Sequence, residues 1–151
     1  MGRRFLSITA CLMLALAAWF ALAAAGALSP TRVKAALSAK QEVPVQVFKA
    51  PKASGFFFGT LTKTARGYRL SWQLTFKNLS GTALFAHVQW GRAGKAGPLL
   101  IKLCAPCKSG AHGNALASPG EVTLIKTGRT YVNVRTAKNR AGEIRGQIKV
   151  G

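Results

Sequence analysis

Residues 68–77 read Tyr68-Arg69-Leu70-Ser71-Trp72-Gln73-Leu74-Thr75-Phe76-Lys77, with apolar and polar side chains alternating without a break. Successive side chains of an extended chain point to opposite faces. Tyr68, Leu70, Trp72, Leu74 and Phe76 therefore share one side, and Arg69, Ser71, Gln73, Thr75 and Lys77 share the other. Wound into a helix, the same apolar residues would scatter around the axis. The stretch predicts a half-buried strand with Trp72 in the core.

The neighbouring sequence extends this pattern on both sides. Residues 55–63 (GFFFGTLTK) are aromatic and rich in Thr, and Thr64-Ala65-Arg66-Gly67 offers a turn, so residues 55–77 read as a hairpin. In residues 84–90, Leu84, Ala86, Val88 and Trp90 alternate with Phe85, His87 and Gln89. Residues 99–103 form a short apolar run. In residues 131–136, Val132 and Val134 alternate with Tyr131, Asn133 and Arg135. In residues 143–150, Ile144, Gly146, Ile148 and Val150 oppose Arg145, Gln147 and Lys149. Residues 33–38 and 43–48 carry weaker strand patterns, and residues 118–126 fit either a strand or one short helix. Turn formers concentrate at residues 78–81, 91–98, 106–113 and 137–142. About seven to nine short strands separated by turns predict an all-β, antiparallel β-sandwich.

The first residues read as a separate object. Gly2, Arg3 and Arg4 precede an uncharged stretch from Phe5 to Leu28 that ends in small residues. This is the layout of a secretory signal peptide, expected over residues 1–25, with cleavage as late as residue 27 the other choice. A retained anchor is the alternative, because a spanning helix needs about 20 apolar residues. Cys11 lies inside the apolar run, with most of that run after it, so it does not read as a lipidation site. Residues 26–34 read as a linker, in which Pro30 breaks any helix, and residues 35–151 as the sandwich domain. The location expected is outside the cytoplasm: periplasmic, secreted or attached to the cell envelope.

Composition narrows the chemistry. The 151 residues carry 22 Lys and Arg against three acids, a formal net charge of +19. The acids are Glu42, Glu121 and Glu143, and the chain has no Asp. Paired-carboxylate hydrolysis and cages for Ca²⁺ or Mg²⁺ need more anionic oxygens than this. A Ser-His-Asp triad is excluded without Asp, although a Glu can substitute. The glycine-rich basic stretch at residues 91–97 lacks the Ser or Thr and the helix of a phosphate-binding loop, and reads as a turn.

Several stretches together resemble the chordin-type (CHRD) domain family, in its exported, stand-alone bacterial form. Residues 37–43 (LSAKQEV), followed by Pro44, are similar to the family's opening strand. Residues 79–91 (LSGTALFAHVQWG) are similar to its middle motif, and Gly97-Pro98 fits its next turn. Residues 131–147 (YVNVRTAKNRAGEIRGQ) resemble its ending most closely. The resemblance spans about residues 36–149. It implies an immunoglobulin-like or superoxide-dismutase-like sandwich that is exported, and it implies no particular activity. In animals, such repeats occur in chordin, an extracellular antagonist of a growth factor. The residues carried over from the motifs are His87, Tyr131, Asn133, Arg135, Glu143 and Arg145. Two positions depart from the family's pattern: Gln89 stands where the middle motif has its second His, and Arg135 where the closing motif has a His. An imidazole, an amide and a permanent cation make a poor metal site.

The Cys104-Ala105-Pro106-Cys107 motif has three readings. A local disulfide pinning the loop is the expectation, since export permits disulfides. A thiol-redox motif of thioredoxin type would need a helix to begin at the first thiol, whereas residues 108–113 are loop-like. A zinc site would have to draw on Cys104, Cys107, His112 and His87. His112 sits in a Gly-rich run and reads as exposed, and His87 reads as a hydrogen-bonded strand residue. If the last two strands pair, Arg145 with Tyr131, Asn133 and Arg135 makes a polar face. A structural network is its first reading and ligand recognition its second.

Cations fall on the polar faces throughout, at Lys63, Arg69, Lys77, Lys126, Arg129, Arg135, Lys138, Arg140, Arg145 and Lys149. Arg69, Lys77, Arg135, Arg145 and Lys149 are read as a basic face. Such a surface suits the polyanions of a cell envelope, namely acidic glycans or anionic lipids, or else an extracytoplasmic protein partner. Nucleic acid is disfavoured, because exposed aromatics are few and no recognition motif is present. Membrane contact is expected only through a retained signal or through surface charge. The function expected is a non-enzymatic binding or structural module that needs no cofactor, with a thiol-redox or metal protein using Cys104 and Cys107 as the alternative.

Overall fold

The structure, a computed structural model, describes residues 29–151, so the expected signal segment lies outside the described residues. Nine strands and one helix follow in order: β1 Thr31–Ser38, β2 Ser54–Thr64, β3 Gly67–Lys77, β4 Ala83–Trp90, β5 Leu99–Cys104, β6 Ala111–Ala117, α1 Pro119–Lys126, β7 Thr130–Thr136, β8 Ile144–Gln147 and β9 Lys149–Val150. All pairings are antiparallel. The strand order is β5-β4-β7-β8-β1-β2-β3-β6, with β9 also on β1. The sheet curls until its edge strands β5 and β6 approach each other, which gives a sandwich-like, nearly closed barrel.

The hairpin read from residues 55–77 is its backbone. β2 and β3 pair from Ser54↔Lys77 to Thr64↔Gly67. Leu70, Trp72 and Leu74 are buried, and Tyr68 and Phe76 half-buried. They pack with Phe57 and Leu61 of β2, Val33, Ala35 and Leu37 of β1, and Val132, Val134 and Ile144 of β7 and β8. Gly146 is required where β8 passes β1, because a Cβ there would stand 2.5 Å from the Ala36 carbonyl oxygen. The first strand is thus closed against β8 by backbone contact.

Several local expectations are corrected. The stretch read as linker to residue 34 already belongs to β1 from Thr31, and Val33 is in the core. Residues 43–48 form no strand and lie in the connection between β1 and β2. The turn read over residues 106–113 ends early, because β6 starts at Ala111 and carries His112 on a strand. Residues 118–126 resolve to the helix, with Ser118 and Glu121 forming a capping box and Pro119 in the first turn. Trp90 was placed with the inward side of β4, yet it is 48% exposed while Gln89 is buried. Gln89 stays on the outward side of β4 and is buried there by residues 91–98, whose Gly97 carbonyl it bonds.

Candidate functional site

The outer faces of β4, β7 and β8 carry the polar residues of the middle and closing motifs. Register aligns them in two rows, His87–Asn133–Arg145 and Gln89–Tyr131–Gln147, with Phe85 beside Arg135. The alternation that points Val88, Val132, Val134 and Ile144 inward forces these side chains outward. Two loops then cover them, residues 42–53 from one side and residues 91–98 from the other.

The second loop is held almost entirely by motif side chains. Arg145 Nη2 donates to the carbonyls of Arg92 and Lys95, each at 2.9 Å. Its guanidinium carbon lies 3.5 Å above the centre of the Tyr131 ring, a cation–π contact. Gly97 N–H donates to the Tyr131 hydroxyl at 3.1 Å, and Gln89 Nε2 donates to the Gly97 carbonyl at 3.0 Å. Gln147 Nε2 reaches the carbonyls of Gly91 and Gly128. Burial pulls the Arg145 guanidinium below its ordinary pKa, and Tyr131 and Glu42 oppose that pull. Arginine nonetheless keeps its proton at physiological pH.

The first loop is tied to two buried carboxyl groups. Glu143 accepts from Thr136 Oγ1 at 2.5 Å, from Ser80 Oγ at 2.7 Å, from Asn139 Nδ2 at 3.2 Å and from the Ser80 backbone N–H. Burial raises its pKa, but these donors outweigh it and hold the carboxyl below the usual range. The Glu143 carbonyl receives Gln46 Nε2, and Asn139 exchanges two hydrogen bonds with the backbone of Phe48. Glu42 Oε1 accepts from Asn133 Nδ2 at 2.8 Å and from Val43 N–H at 3.2 Å, while Oε2 is buried without a partner. Burial dominates here and raises Glu42 from 4.5 to about 7. A Cβ at Gly142 would fall on the Glu42 carboxyl and on Asn133 Nδ2, so the closing motif needs glycine there.

These positions correct part of the basic face. Arg145 is 1% exposed, and Glu143 is fully buried beside it. Neither points to solvent, because the two loops cover the outer face of β7 and β8. Arg135 is half-buried, whereas Arg69, Lys77 and Lys149 are exposed. Lys63, Lys126, Arg129, Lys138 and Arg140 are exposed as well.

The candidate metal residues do not come together. Among the described residues, no group of three or more His, Cys, Asp and Glu is placed to hold an ion. His87 stacks on Phe85, with ring centres 5.8 Å apart. Burial first, then Arg135 and Lys102, lowers its pKa, so the ring is neutral at pH 7. His112 is exposed on β6. Cys104 and Cys107 form a disulfide with a Cα–Cα distance of 5.3 Å. It joins the end of β5 to the loop before β6, and Cys107 N–H donates to the Ala83 carbonyl at 3.0 Å.

Sequence reasoning missed Glu42, Gln46, Gln89, Asn139 and Gln147 as members of this network. One signal was available for the first: in a chain with only three acids and 22 cations, each Glu has to be placed for a reason.

The curled all-β sheet, with its motif side chains spent on holding two loops, defines a sandwich-like module. The CHRD domain family model matches residues 33–148, and the chain belongs to that family. Comparisons with curated proteins and with solved structures returned no match.

Proposed function

We propose that this CHRD-domain chain is an exported, non-enzymatic binding or structural module that holds anionic material of the cell envelope through its surface charge. One observation carries the reading: two of the three side-chain carboxyl groups are buried and the third is spent on a helix cap, while nearly all the cations are exposed. Glu42 and Glu143 are buried, and Glu121 turns back onto Ser118 N–H and Oγ. Among the described residues, only Arg135 and Arg145 of the Lys and Arg set are not exposed. A polyanion approaching this surface meets one part-exposed carboxylate, Glu121, against many exposed cations.

The polar motif residues support the same reading. Their hydrogen bonds go to loop backbone and to one another, so they shape a surface rather than present reactive groups. The thiol-redox alternative has weaker support. Cys104 ends a strand and the chain enters β6 after Cys107, so no helix begins at this motif to place its N-terminus on the first sulfur.

The test is affinity for an acidic polysaccharide and for phosphatidylglycerol vesicles, titrated with salt. Affinity should fall steeply and linearly on a logarithmic salt scale, as it does when several cations displace counterions. Cys107→Ala should bind like the wild type. Affinity independent of salt, or loss of binding in Cys107→Ala, would overturn the proposal.

A further inference from the structure

The connection between β1 and β2 is built inside out. Over residues 45–48 the polar side chain, Gln46, is buried, and the apolar ones face solvent: Val45 is 70%, Val47 87% and Phe48 48% exposed. Burial of apolar area cannot explain this loop, which inverts the usual arrangement and leaves apolar area in water. The loop is also not slack. Gln46 donates to the Glu143 carbonyl and accepts from Ala50 N–H at 3.0 Å. Asn139 brackets Phe48 through its N–H and its carbonyl, at 2.8 and 2.9 Å. Buried polar anchors hold three apolar side chains outward in a fixed arrangement.

The surroundings state what the tip fits. Lys40, Lys49 and Lys52 flank it on the same loop, all exposed. Lys138 stands 4.3 Å from the Phe48 ring centre, and exposed Arg140 follows Asn139. No side-chain carboxylate is exposed nearby, since Glu42 and Glu143 lie beneath the loop. We infer that residues 45–48 are a membrane-docking tip, whose Val45, Val47 and Phe48 enter the interface of an anionic lipid bilayer while the surrounding Lys and Arg contact its headgroups.

Charge complementarity selects an anionic occupant, and side-chain chemistry selects lipid. Two valines offer a sugar neither a stacking plane nor a hydrogen bond, and one phenylalanine is a poor platform for successive bases. Acyl chains, in contrast, accept apolar side chains of any shape, and the lysine stems reach along them while their ammonium groups stay at the surface. Each basic residue near an anionic leaflet adds to the attraction. The inference rests on the proposed reading of the chain as an exported cationic module, and it names the site and the partner.

The experiment compares variants recovered after export with the N-terminus of the wild type, using vesicles of phosphatidylglycerol with phosphatidylcholine and vesicles of phosphatidylcholine alone. Val45→Asn with Val47→Asn should weaken partition onto the anionic vesicles by about tenfold or more. Phe56→Ser with Phe58→Ser alters another exposed apolar pair, half-exposed on β2. That variant should stay within about twofold of the wild type. Val47→Trp should shift its emission to the blue on anionic vesicles only, a readout that does not depend on how tightly the rest of the chain binds. An unmoved Val47→Trp spectrum, or equal losses in the two double variants, would overturn the docking tip. If the wild type still binds acidic polysaccharide in a salt-sensitive way, the wider proposal stands without this one. If it binds neither polysaccharide nor vesicle, both fall.

Discussion

At the scale of single residues, Glu42 and Arg145 carry the sharpest consequences. Glu42 has its pKa raised, so the folded protein keeps a proton that the unfolded chain releases. Its contribution to stability is complete below pH 4.5 and is lost as pH rises through about 7. Glu42 should therefore take about 2 kcal/mol from the wild type between about pH 5.5 and about pH 8, against an opposing gain from His87, whose pKa is lowered in the fold. Urea unfolding at the two pH values should show the Glu42 contribution as the difference between the wild type and Glu42→Gln. Glu143 acts with the opposite sign: its pKa is depressed, and the stability it contributes is lost as pH falls through its folded value, below 4.5. Arg145→Ala should cost about 3 kcal/mol or more, since two charge-assisted hydrogen bonds and a buried cation–π contact go together. The same variant should expose the chain at Arg92 and Lys95 to trypsin, because their carbonyls are what Arg145 holds. An unchanged digestion rate would show that the loop stands without it.

At the scale of elements, the hairpin of β2 and β3 was legible because one face is buried and the other is in water, which is the condition under which alternation carries information. Trp72→Ala on that buried face should cost about 3–5 kcal/mol, measured by chemical denaturation, and a loss under about 1 kcal/mol would contradict its place in the core. β6 was not legible, and Trp72 is the reason. Gly113 pairs with Trp72, and a Cβ on it would stand 3.0 Å from the indole. The inward positions of β6 are therefore Ala111, Gly113, Ala115 and Ala117, while Leu116 faces outward, so the polarity contrast that marks a strand is missing. Residues 43–48 misled in the other way. Their alternation is real, but Gln46 is the buried member. For β7 and β8 the pattern named the correct outward set, Tyr131, Asn133, Arg145 and Gln147. It could not say that two loops from distant parts of the chain would cover them. Charge placed Arg145 on the surface, and only tertiary structure takes it inside.

At the scale of the whole molecule, charge and topology separate. The surface is cationic because acids are few and two of the three, Glu42 and Glu143, are buried, which is why salt should weaken binding throughout and why no single basic residue should dominate it. The topology sets a different condition. β1 is stitched to β2 on one side and to β8 and β9 on the other, through Ser38↔Arg145, Val33↔Val150 and Lys34↔Lys149. A chain delivered N-terminus first, whether from a ribosome or through a membrane pore, can form its early hairpin but leaves one side of its first strand unpaired until residues 144–150 emerge. Until then the polar layer has no Glu143, Arg145 or Gln147, and each loop lacks part of its anchorage. Closure is therefore the last event, and its non-local contacts belong among the slow ones. A chain so delivered stays open at its first strand until residues 144–150 arrive, and locks with them.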